Sequence, residues 1–350
     1  MAEQIIVLGT GGTIAGTAQS ASDNTGYTAA QIGIALLLES VPGLQQALHG
    51  RELLCEQVAQ LDSKDMDFDM MRLLAQRCTQ HLSSPQVKGI VITHGTDTLE
   101  ETAYFLHCMI PLHLQIKPIV LTCAMRPATS SEADGPRNLR DAVLVACDGQ
   151  SRGVLAVCAG DVHHALSVQK VHTYALNAFS SGDVALGEPG LVAQVVSDGL
   201  LWKPVFQEFL KQKQHTAGIE YARAAINFVV DASTEKIVWP RVEIVLNHAQ
   251  ATGNIVLALL VASALQDPLR GIVVAGTGNG TVSESLQSAL SEVRSTGVEV
   301  VVSSRCAWGG VRGSSTLSAV KTRIDLMLRL LGNDAAVGGL IRSPHAQTPL

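Results

Sequence analysis

Short apolar runs recur along the first half of the chain and alternate with stretches whose apolar residues return every three or four positions. The runs are QIIVL, KGIVIT, KPIVLT and RGVLAV, and the intervening stretches include QIGIALLLESVPGL and DFDMMRLLAQRC. Continuous apolar runs indicate strands buried on both faces, and helical periodicity between them indicates helices that cover those faces. The pattern therefore predicts a mostly parallel sheet flanked by helices.

This rhythm loosens at the GEPG boundary near Glu188 and resumes at Pro240 with VEIVL, GIVVAG and VEVVVSS. Strands that again alternate with helical stretches indicate a second α/β unit. We therefore predict an α/β fold of two domains: a larger N-terminal catalytic domain over residues 1–188, a connector over 189–239, and a smaller C-terminal domain over 240–350.

Composition narrows the classes of partner. The chain has 350 residues, of which 47% are hydrophobic and 16% charged, and a net charge of −6 without clustered Lys and Arg, so no nucleic-acid partner is expected. No stretch approaches the roughly 20 apolar residues that span a bilayer, so no membrane partner is expected. The first residues enter a strand directly, and the 7 cysteines have no CxxC or metal-like spacing. We expect a cytoplasmic protein with reduced thiols, no metal and no cofactor.

Unusual polar clusters directly follow three of the predicted strands. IIVL leads to GTGGTIAG, GIVIT leads to HGTDTLEETAY, and PIVLT leads to CAMRP. The carboxyl ends of parallel strands meet at one edge of a sheet, where ligands bind. Three polar loops are therefore predicted to converge on one crevice, and a small molecule is the expected ligand.

The glycine-rich stretch GTGGTIAG allows several interpretations. Gly9 and Gly11 begin a dinucleotide-binding pattern, but Ile14 stands where its third glycine belongs, and no second strand follows in residues 17–30. No GK[ST] follows either, so nucleotide or phosphate binding is weakly supported. The glycines could simply turn a strand into a helix, or they could clear space around a reactive threonine.

The HGTDTLEETAY stretch places Thr96 and Asp97 on a turn before a helix. Asp97 or Thr98 could merely cap that helix, with the two following glutamates complementing its dipole. However, two loops that each bring a threonine to one sheet edge, one with a carboxylate beside it, predict a nucleophilic site.

Several segments together resemble the bacterial-type L-asparaginase/glutaminase family of threonine amidohydrolases. They are GTGGTIAG, LDSKDM, VITHGTDTLEETAYFL, AMRP with ADGPRNL, AGTGNG and VVSSR, in family order from about residue 4 to residue 317. The resemblance implies a larger N-terminal and a smaller C-terminal domain, L-asparagine as substrate, and a homo-oligomer, a tetramer or a dimer, with sites between subunits. It implies no cofactor.

The resemblance also implies roles for particular residues. Thr13 looks like the nucleophile, Tyr27 like a lid residue that contacts it, and Thr96 with Asp97 like the second threonine and its carboxylate. Thr96 and Asp97 also look like substrate ligands, Asp97 for the α-ammonium. The other residues expected to bind substrate are Ser63, which resembles the ligand of the α-carboxylate, Lys64 and Ala124.

The sequence departs from the family pattern at the lysine that normally bonds to the threonine–aspartate pair. The corresponding interval after ADGP ends on Gly149, so this group is expected to be missing. Lys64, directly after Ser63, could supply the charge or pair with the substrate carboxylate. It could equally be a solvated loop lysine, and water, Asp148 or Gln150 could then take the lysine's place.

A second departure lies in the C-terminal domain. The family asparagine that faces the substrate amino group corresponds to Thr281, and the loop that carries a glutamate is shortened after Arg305. Recognition of the amino group therefore departs from the family pattern. The function expected is hydrolysis of asparagine to aspartate and ammonia, with a possible glutaminase side activity. The alternative is a catalytically impaired family member that binds amino acids or regulates.

Overall fold

The computed structural model describes residues 2–182, 190–197, 199–211, 229–231, 236–263 and 267–341. The chain divides into two compact units, Met1–Lys213 and Gln214–Leu350. Strands alternate with helices up to β5, Val154–Cys158, in the first unit and throughout the described part of the second, as the hydrophobic pattern predicts.

The first unit contains an eight-stranded sheet in the order β10-β9-β6-β5-β4-β3-β1-β2 and a separate pair, β7-β8. Strands β2, β1, β3, β4 and β5 are parallel, whereas β6, β9 and β10 are antiparallel to their neighbours. The prediction of a mostly parallel sheet is confirmed. The strands are β1 Gln4–Gly11, β2 Glu52–Leu61, β3 Val87–Thr93, β4 Ile119–Thr122, β5 Val154–Cys158, β6 Asp161–His164, β7 Gln169–Lys170, β8 Phe179–Ser180, β9 Leu191–Val196 and β10 Gly199–Trp202.

Helices cover both faces of this sheet, and the strand residues between them are almost fully buried. Helix α5 packs on β3, β4 and β5, and α3 packs on β3 and α4. Burial of β1, β3, β4 and β5 on both faces explains why their sequences are continuous apolar runs. The helices are α1 Ile34–Glu39, α2 Leu44–Ala47, α3 Phe68–Leu82, α4 Leu99–Met109, α5 Gly135–Cys147 and α6 Pro204–Lys211.

Part of the predicted connector belongs to the first unit instead. Residues 189–239 were expected to link the domains, but β9, β10 and α6 lie within them, and β9 and β10 join the large sheet. These two antiparallel strands at the sheet margin are only half buried. Gln194 interrupts the apolar run of β9, and β10 has only four residues, so neither is a long continuous apolar run. Residues 212–228 and 232–235 lie outside the described part of the chain.

The second unit holds a three-stranded parallel sheet in the order β11-β12-β13, with its own apolar core. The smaller C-terminal α/β unit is thus confirmed. Among the described helices, none combines the length and apolar character needed to cross a membrane. The elements are β11 Arg241–Leu246, α7 Asn254–Ser263, β12 Leu269–Gly276, α8 Glu284–Ser295, β13 Glu299–Ser304 and α9 Ala319–Ile341.

Candidate active site

Two glycines let three loops touch at the carboxyl edge of the large sheet. Gly12, after β1, has φ 77°, and a Cβ on it would lie 2.5 Å from the Cα of Gly95, which follows β3. A Cβ on Gly95 would in turn collide with the side chain of Ser63, which follows β2. Glycine is therefore required at both positions so that the loops of three neighbouring strands can meet.

Thr13 lies in the 3-10 turn Thr13–Ala15 that immediately follows this close approach. The residue is 7% exposed, and its Oγ1 is 2.7 Å from the hydroxyl oxygen of Tyr27. The two residues whose contact the resemblance implied are thus hydrogen-bonded. The hydroxyl of Thr13 is shielded from bulk water and already oriented by a partner.

The segment that carries Tyr27 contacts Thr13 and is held by hydrogen bonds at several points. Its ends, Thr17 and Thr28, exchange two backbone hydrogen bonds of 2.9 Å. Farther along the segment, the hydroxyl of Ser130 donates to the side-chain oxygen of Asn24 at 2.6 Å. The backbone amide of Ala18 donates to the Thr129 hydroxyl at 2.8 Å. Residues 17–28 are thus anchored on the loop after β4.

Ser63, in the 3-10 turn after β2, is hydrogen-bonded to the turn after β3. It is 2% exposed, its Oγ accepts from the backbone amide of Asp97 at 3.2 Å, and its carbonyl accepts from the Thr98 hydroxyl at 2.7 Å. Thr98 stands at the N-terminus of α4, but its side chain does not cap the helix, because its hydroxyl donates to the Ser63 carbonyl instead. The capping interpretation of Thr98 is therefore wrong.

The expectation that the threonine–aspartate pair lacks a lysine is also wrong. Lys170, on β7, donates from Nζ to Thr96 Oγ1 at 2.8 Å and to Asp97 Oδ1 at 2.6 Å. Thr96 is 6% exposed, and the Lys170 side chain is 19% exposed. Asp97 therefore binds an ammonium instead of capping α4. Gly149 is open on its Cβ side, and the neighbouring Asp148 carboxylate accepts from the Gln150 amide within its own turn.

Lys64 does not take the place of the expected lysine. Its side chain is 61% exposed, and its ammonium pairs with Asp62 at 2.7 Å and Asp65 at 3.3 Å. Hydrogen bonding to the Asp62 carboxylate raises the pKa of Lys64. The electrostatic role that Lys64 was expected to share at Asp97 belongs to Lys170, because Lys64 is held by the acids on either side of it.

Ala124, which the resemblance assigned to substrate binding, is fully buried. It belongs to the core beside Ile14 and Gly135. The structure thus brings Thr13, Tyr27, Ser63, Thr96 and Asp97 to linked loops, adds Lys170, and leaves Ala124 beneath them.

Thr281, in the second unit, is engaged within its own turn. Its hydroxyl oxygen is 2.7 Å from that of Thr277, and the two residues pair through their backbones. The shortened loop after β13 is held by the amide of Arg312, which donates to the side chain of Asn279 at 2.7 Å. Both departures from the family pattern in this unit therefore lie in locally ordered structure.

His94 is a site residue that the sequence reasoning missed. It is 0% exposed, with Nδ1 2.8 Å from the Gly95 carbonyl oxygen and Nε2 3.0 Å from the Thr102 hydroxyl. The carbonyl can only accept, so Nδ1 carries the proton and Nε2 accepts from Thr102. His94 thereby ties the Gly95–Asp97 turn to α4. Its position next to the strand end was visible in VITHGTDT, but its burial was not.

Acid conditions should destabilise the protein through His94. Burial lowers the pKa of this imidazole to about 4, against about 6.5 in an unfolded chain. Between these two pH values the unfolded state therefore binds more protons than the folded state. As a result, the free energy of unfolding is unaffected by His94 above about pH 6.5 and decreases by about 3 kcal/mol as the pH drops to about 4. Calorimetric melting at about pH 7 and about pH 4.5 measures this loss.

The control for this prediction is His94→Gln, whose amide retains a donor and an acceptor but does not titrate. We expect the melting temperature of this variant to fall less steeply with acid than that of the parent protein. Equal pH dependence in both proteins would mean that His94 is not the titrating group.

In the described part of the chain, no cluster of three or more His, Cys, Asp or Glu side chains could hold a metal ion. The site instead consists of buried hydroxyls beside an ion pair on adjoining loops of a mostly parallel sheet. Fold and site together define a two-domain α/β protein with a hydroxyl-centred site.

The chain belongs to the asparaginase family. Residues 4–194 match the model of the asparaginase N-terminal domain, and residues 241–334 match that of the glutaminase/asparaginase C-terminal domain. The chain is 37% identical over 308 residues to a glutaminase-asparaginase from Pseudomonas fluorescens biotype A, covering 87% of this chain and 76% of that protein. It is 35% identical over 342 residues to L-asparaginase 2 of Escherichia coli, covering 93% and 88%.

The fold also has a close counterpart among solved structures. The crystal structure of a probable cytoplasmic L-asparaginase from Campylobacter jejuni superimposes with a TM-score of 0.78 at 31% sequence identity. The match covers 97% of this chain and 99% of that one. Both domains of the family are therefore represented along this chain.

Proposed function

We propose that the protein is an amidohydrolase that converts L-asparagine to L-aspartate and ammonia, with Thr13 as nucleophile and a weaker glutaminase reaction. The observation that carries the proposal is the buried Thr13 hydroxyl, paired with Tyr27, on a loop that touches the turn of Thr96 and Asp97. The names of the relatives, L-asparaginase and glutaminase-asparaginase, support this substrate class.

In the first step, Thr13 Oγ1 bonds to the side-chain amide carbon of the substrate. A threonine hydroxyl is a weak nucleophile, so its proton must pass to a neighbouring group as the bond forms. Tyr27, at 2.7 Å, is the group in direct contact with that hydroxyl. The carbon–nitrogen bond then breaks, the nitrogen leaves with an added proton as ammonia, and an ester to Thr13 remains. Water hydrolyses the ester to aspartate and restores the Thr13 hydroxyl.

Lys170 orients the second threonine for proton transfer. An ammonium has only donors, so Thr96 Oγ1 accepts from Lys170 and its own hydroxyl proton remains available to the leaving nitrogen or to water. The same ammonium holds Asp97 beside Thr96. Fixed geometry of this kind contributes to the rate because the groups need not reorganise during the reaction.

The oxyanion that develops on the amide oxygen needs fixed donors. Within the described part of the chain, no group accepts a hydrogen bond from the backbone amide of Thr96. That amide lies on the turn that Gly12 approaches at van der Waals contact. It is the donor that we assign to the oxyanion, because the amide of Asp97 is already bonded to Ser63.

The proposal is tested by measuring ammonia release from L-asparagine, L-glutamine, their D-forms and N-acylated analogues. We expect the highest kcat/KM with L-asparagine and a lower value with L-glutamine. A higher kcat/KM with an N-acylated analogue would instead indicate that the substrate is an amide without a free amino group. Absence of turnover on every compound would refute the enzyme function.

The alternative was a catalytically impaired family member that binds amino acids or regulates, and the reason for it was the apparently missing lysine. Because Lys170 contacts Thr96 and Asp97, that reason no longer holds. Tight binding of aspartate without any amide hydrolysis, measured by calorimetric titration, would revive it.

We also propose that the protein forms a homo-oligomer through its second unit. Strand β11 is a sheet edge that exposes Ile244 and Leu246 at 37% and 52%, and α7 exposes Ile255 and Val261 at 55% and 75%. Large apolar side chains exposed along an edge strand and a helix can form an interface, and a second copy of the chain is the simplest partner. A tetramer with dihedral symmetry is the state we expect.

Charge introduced into α7 should weaken this assembly. Light scattering of Ile255→Glu and Val261→Glu, together and singly, is expected to show a lower average mass at equal concentration, because each glutamate would be buried against apolar surface. Gln287→Glu, on the exposed polar side of α8, adds the same charge and should leave the mass unchanged. A parent protein that is already monomeric and fully active would refute the proposal.

We infer a cytoplasmic location from the thiols. All 7 cysteines lie in the described residues, none forms a disulfide, and 5 of them are buried. Buried thiols that form no disulfide suit a reducing compartment. Relatives include a probable periplasmic L-asparaginase of Haemophilus influenzae, so fractionation of the source cells is the measurement that decides.

A further inference from the structure

Lys170 stands on a structural element that the large sheet does not hold. Strands β7 and β8 form a two-stranded sheet of their own, with two residue pairs, Gln169–Ser180 and Lys170–Phe179. A hairpin of this size is marginally stable by itself in water. We call residues 169–180 the Lys170 hairpin. Other contacts must keep its ammonium on Thr96 and Asp97.

The base of the Lys170 hairpin is buried, but its turn is not. Ala178 is 0% and Phe179 6% exposed, whereas Val171, Tyr174 and Leu176 are 46%, 47% and 42% exposed. Within the turn, His172 Nδ1 accepts from the backbone amides of Tyr174 and Ala175 at 3.0 and 2.9 Å. The turn is thus locally ordered but projects away from the core.

Arg126 reaches this turn from the loop after β4. Its guanidinium carbon lies 4.0 Å from the centre of the Tyr174 ring, and its Nη1 donates to the Tyr174 carbonyl oxygen at 3.0 Å. The stack and the hydrogen bond act on the same residue, four positions after Lys170. Arg126 itself is anchored, because its backbone amide donates to the Asp134 carboxylate at 2.9 Å.

The environment of Arg126 is costly for a cation. The residue is only 7% exposed, and its Nε is buried without a hydrogen-bond partner in the described structure. Its other hydrogen bond, to the Met125 carbonyl, is long at 3.3 Å. Within the described residues, no carboxylate comes within salt-bridge distance of its guanidinium. Burying a charge with so few partners disfavours folding, so the contacts with Tyr174 call for a functional explanation.

We propose that Arg126 is a positioning residue that clamps the turn of the Lys170 hairpin and thereby keeps the Lys170 ammonium on Thr96 and Asp97. The expected effect on turnover rests on the proposed function. The positioning of Lys170 by Arg126 does not depend on that function. Arg126 touches no group assigned to the reaction. Its influence passes through Tyr174 and the hairpin to Lys170.

The kinetic test is a double-mutant cycle between Arg126 and Lys170. Arg126→Met keeps an unbranched apolar stem but removes the stack and the donor, and we expect it to lower kcat about tenfold with KM nearly unchanged. In the Lys170→Met background the same substitution should change kcat less than about twofold, because the group it positions is gone. Arg126→Lys, which keeps a donor and a cation but not the planar stack, should recover part of the loss.

The matched control is Arg152→Met. Arg152 also donates to backbone carbonyls, those of Gly149 and Ser151, but makes none of the hairpin contacts. The Arg152→Met variant should leave kcat unchanged, and melting curves should show that all variants fold. Equal losses from Arg126→Met in both backgrounds, or an unchanged kcat in the folded single variant, would overturn the proposal.

A measurement without substrate separates this proposal from the proposed function. The ammonium of Lys170 is bonded to two partners and 19% exposed, so an acylating reagent should modify it slowly. Peptide mass spectrometry should show several-fold faster acylation of Lys170 in Arg126→Met, with Lys88 unchanged as an internal reference. Equal rates in both proteins would refute the clamp. Faster labelling in a protein that hydrolyses no amide would support the clamp and refute only the amidohydrolase function.

Discussion

Thr13→Ala is expected to lower kcat for amide hydrolysis by about a thousandfold or more, equivalent to at least about 4 kcal/mol of barrier. The substitution removes the atom that we propose forms the covalent intermediate. Its cost in folding free energy should be about 1 kcal/mol, because one hydrogen bond to Tyr27 is lost from a loop residue. Ammonia release and thermal melting together separate these two effects.

Two further variants make the interpretation specific. Thr13→Ser retains the hydroxyl and should keep measurable turnover, whereas Thr79→Ala, on α3, truncates a threonine away from the site and should keep full turnover. Loss of activity in Thr13→Ala in proportion to its loss of folded protein would instead assign Thr13 a purely structural role.

Lys170→Met should lower kcat about a hundredfold. The substitution retains most of the aliphatic stem but removes the donor that holds both Thr96 and Asp97 at hydrogen-bond distance. Effects of this size are typical when a group that orients proton transfer is removed. Because the ammonium touches the proton-transfer pair and not Thr13, KM should change less than kcat.

Lysine variants elsewhere provide the comparison. Lys64→Met should have a much smaller effect on kcat, because the Lys64 ammonium is exposed and paired with Asp62 and Asp65. A rise in KM in that variant would indicate a contact with the substrate carboxylate. Lys88→Met serves as the control, since Lys88 lies at the start of β3 and pairs with Glu3. A larger loss of kcat in Lys64→Met than in Lys170→Met would contradict the assignment of the ammonium.

Lys170 could have been found by elimination. The N-terminal unit has four lysines before residue 188, at positions 64, 88, 117 and 170. Lys88 and Lys117 precede the apolar runs of β3 and β4, so they lie at the opposite edge of the sheet from the polar loops. Only Lys64 and Lys170 remained as candidates. Proximity in sequence to Ser63 favoured Lys64, and that criterion failed because contacts across the fold do not follow sequence distance.

The half-buried strands β9 and β10 escaped prediction for a related reason. Apolar periodicity reports burial, and it is strong only where both faces or one whole face of a strand is covered. The run LVAQVV is short and interrupted by Gln194, and GLLW has only four residues, so neither is recognisable as a strand. The pairing that makes these residues strands comes from β6 and from each other.

The sequence by itself determined the parallel core, the second α/β unit and the loops that bear Thr13, Thr96 and Asp97, because buried strands require apolar runs and glycine alone permits the close approach at Gly12 and Gly95. Only the tertiary structure decided which ammonium pairs with Asp97, which group accepts the hydrogen bond of the Thr98 hydroxyl, and how Arg126 contacts Tyr174. Local patterns encode local backbone preferences and burial. Contacts between residues 35 to 74 positions apart, such as the Thr98 hydroxyl with the Ser63 carbonyl and Lys170 with Thr96, depend on the packing of the whole unit.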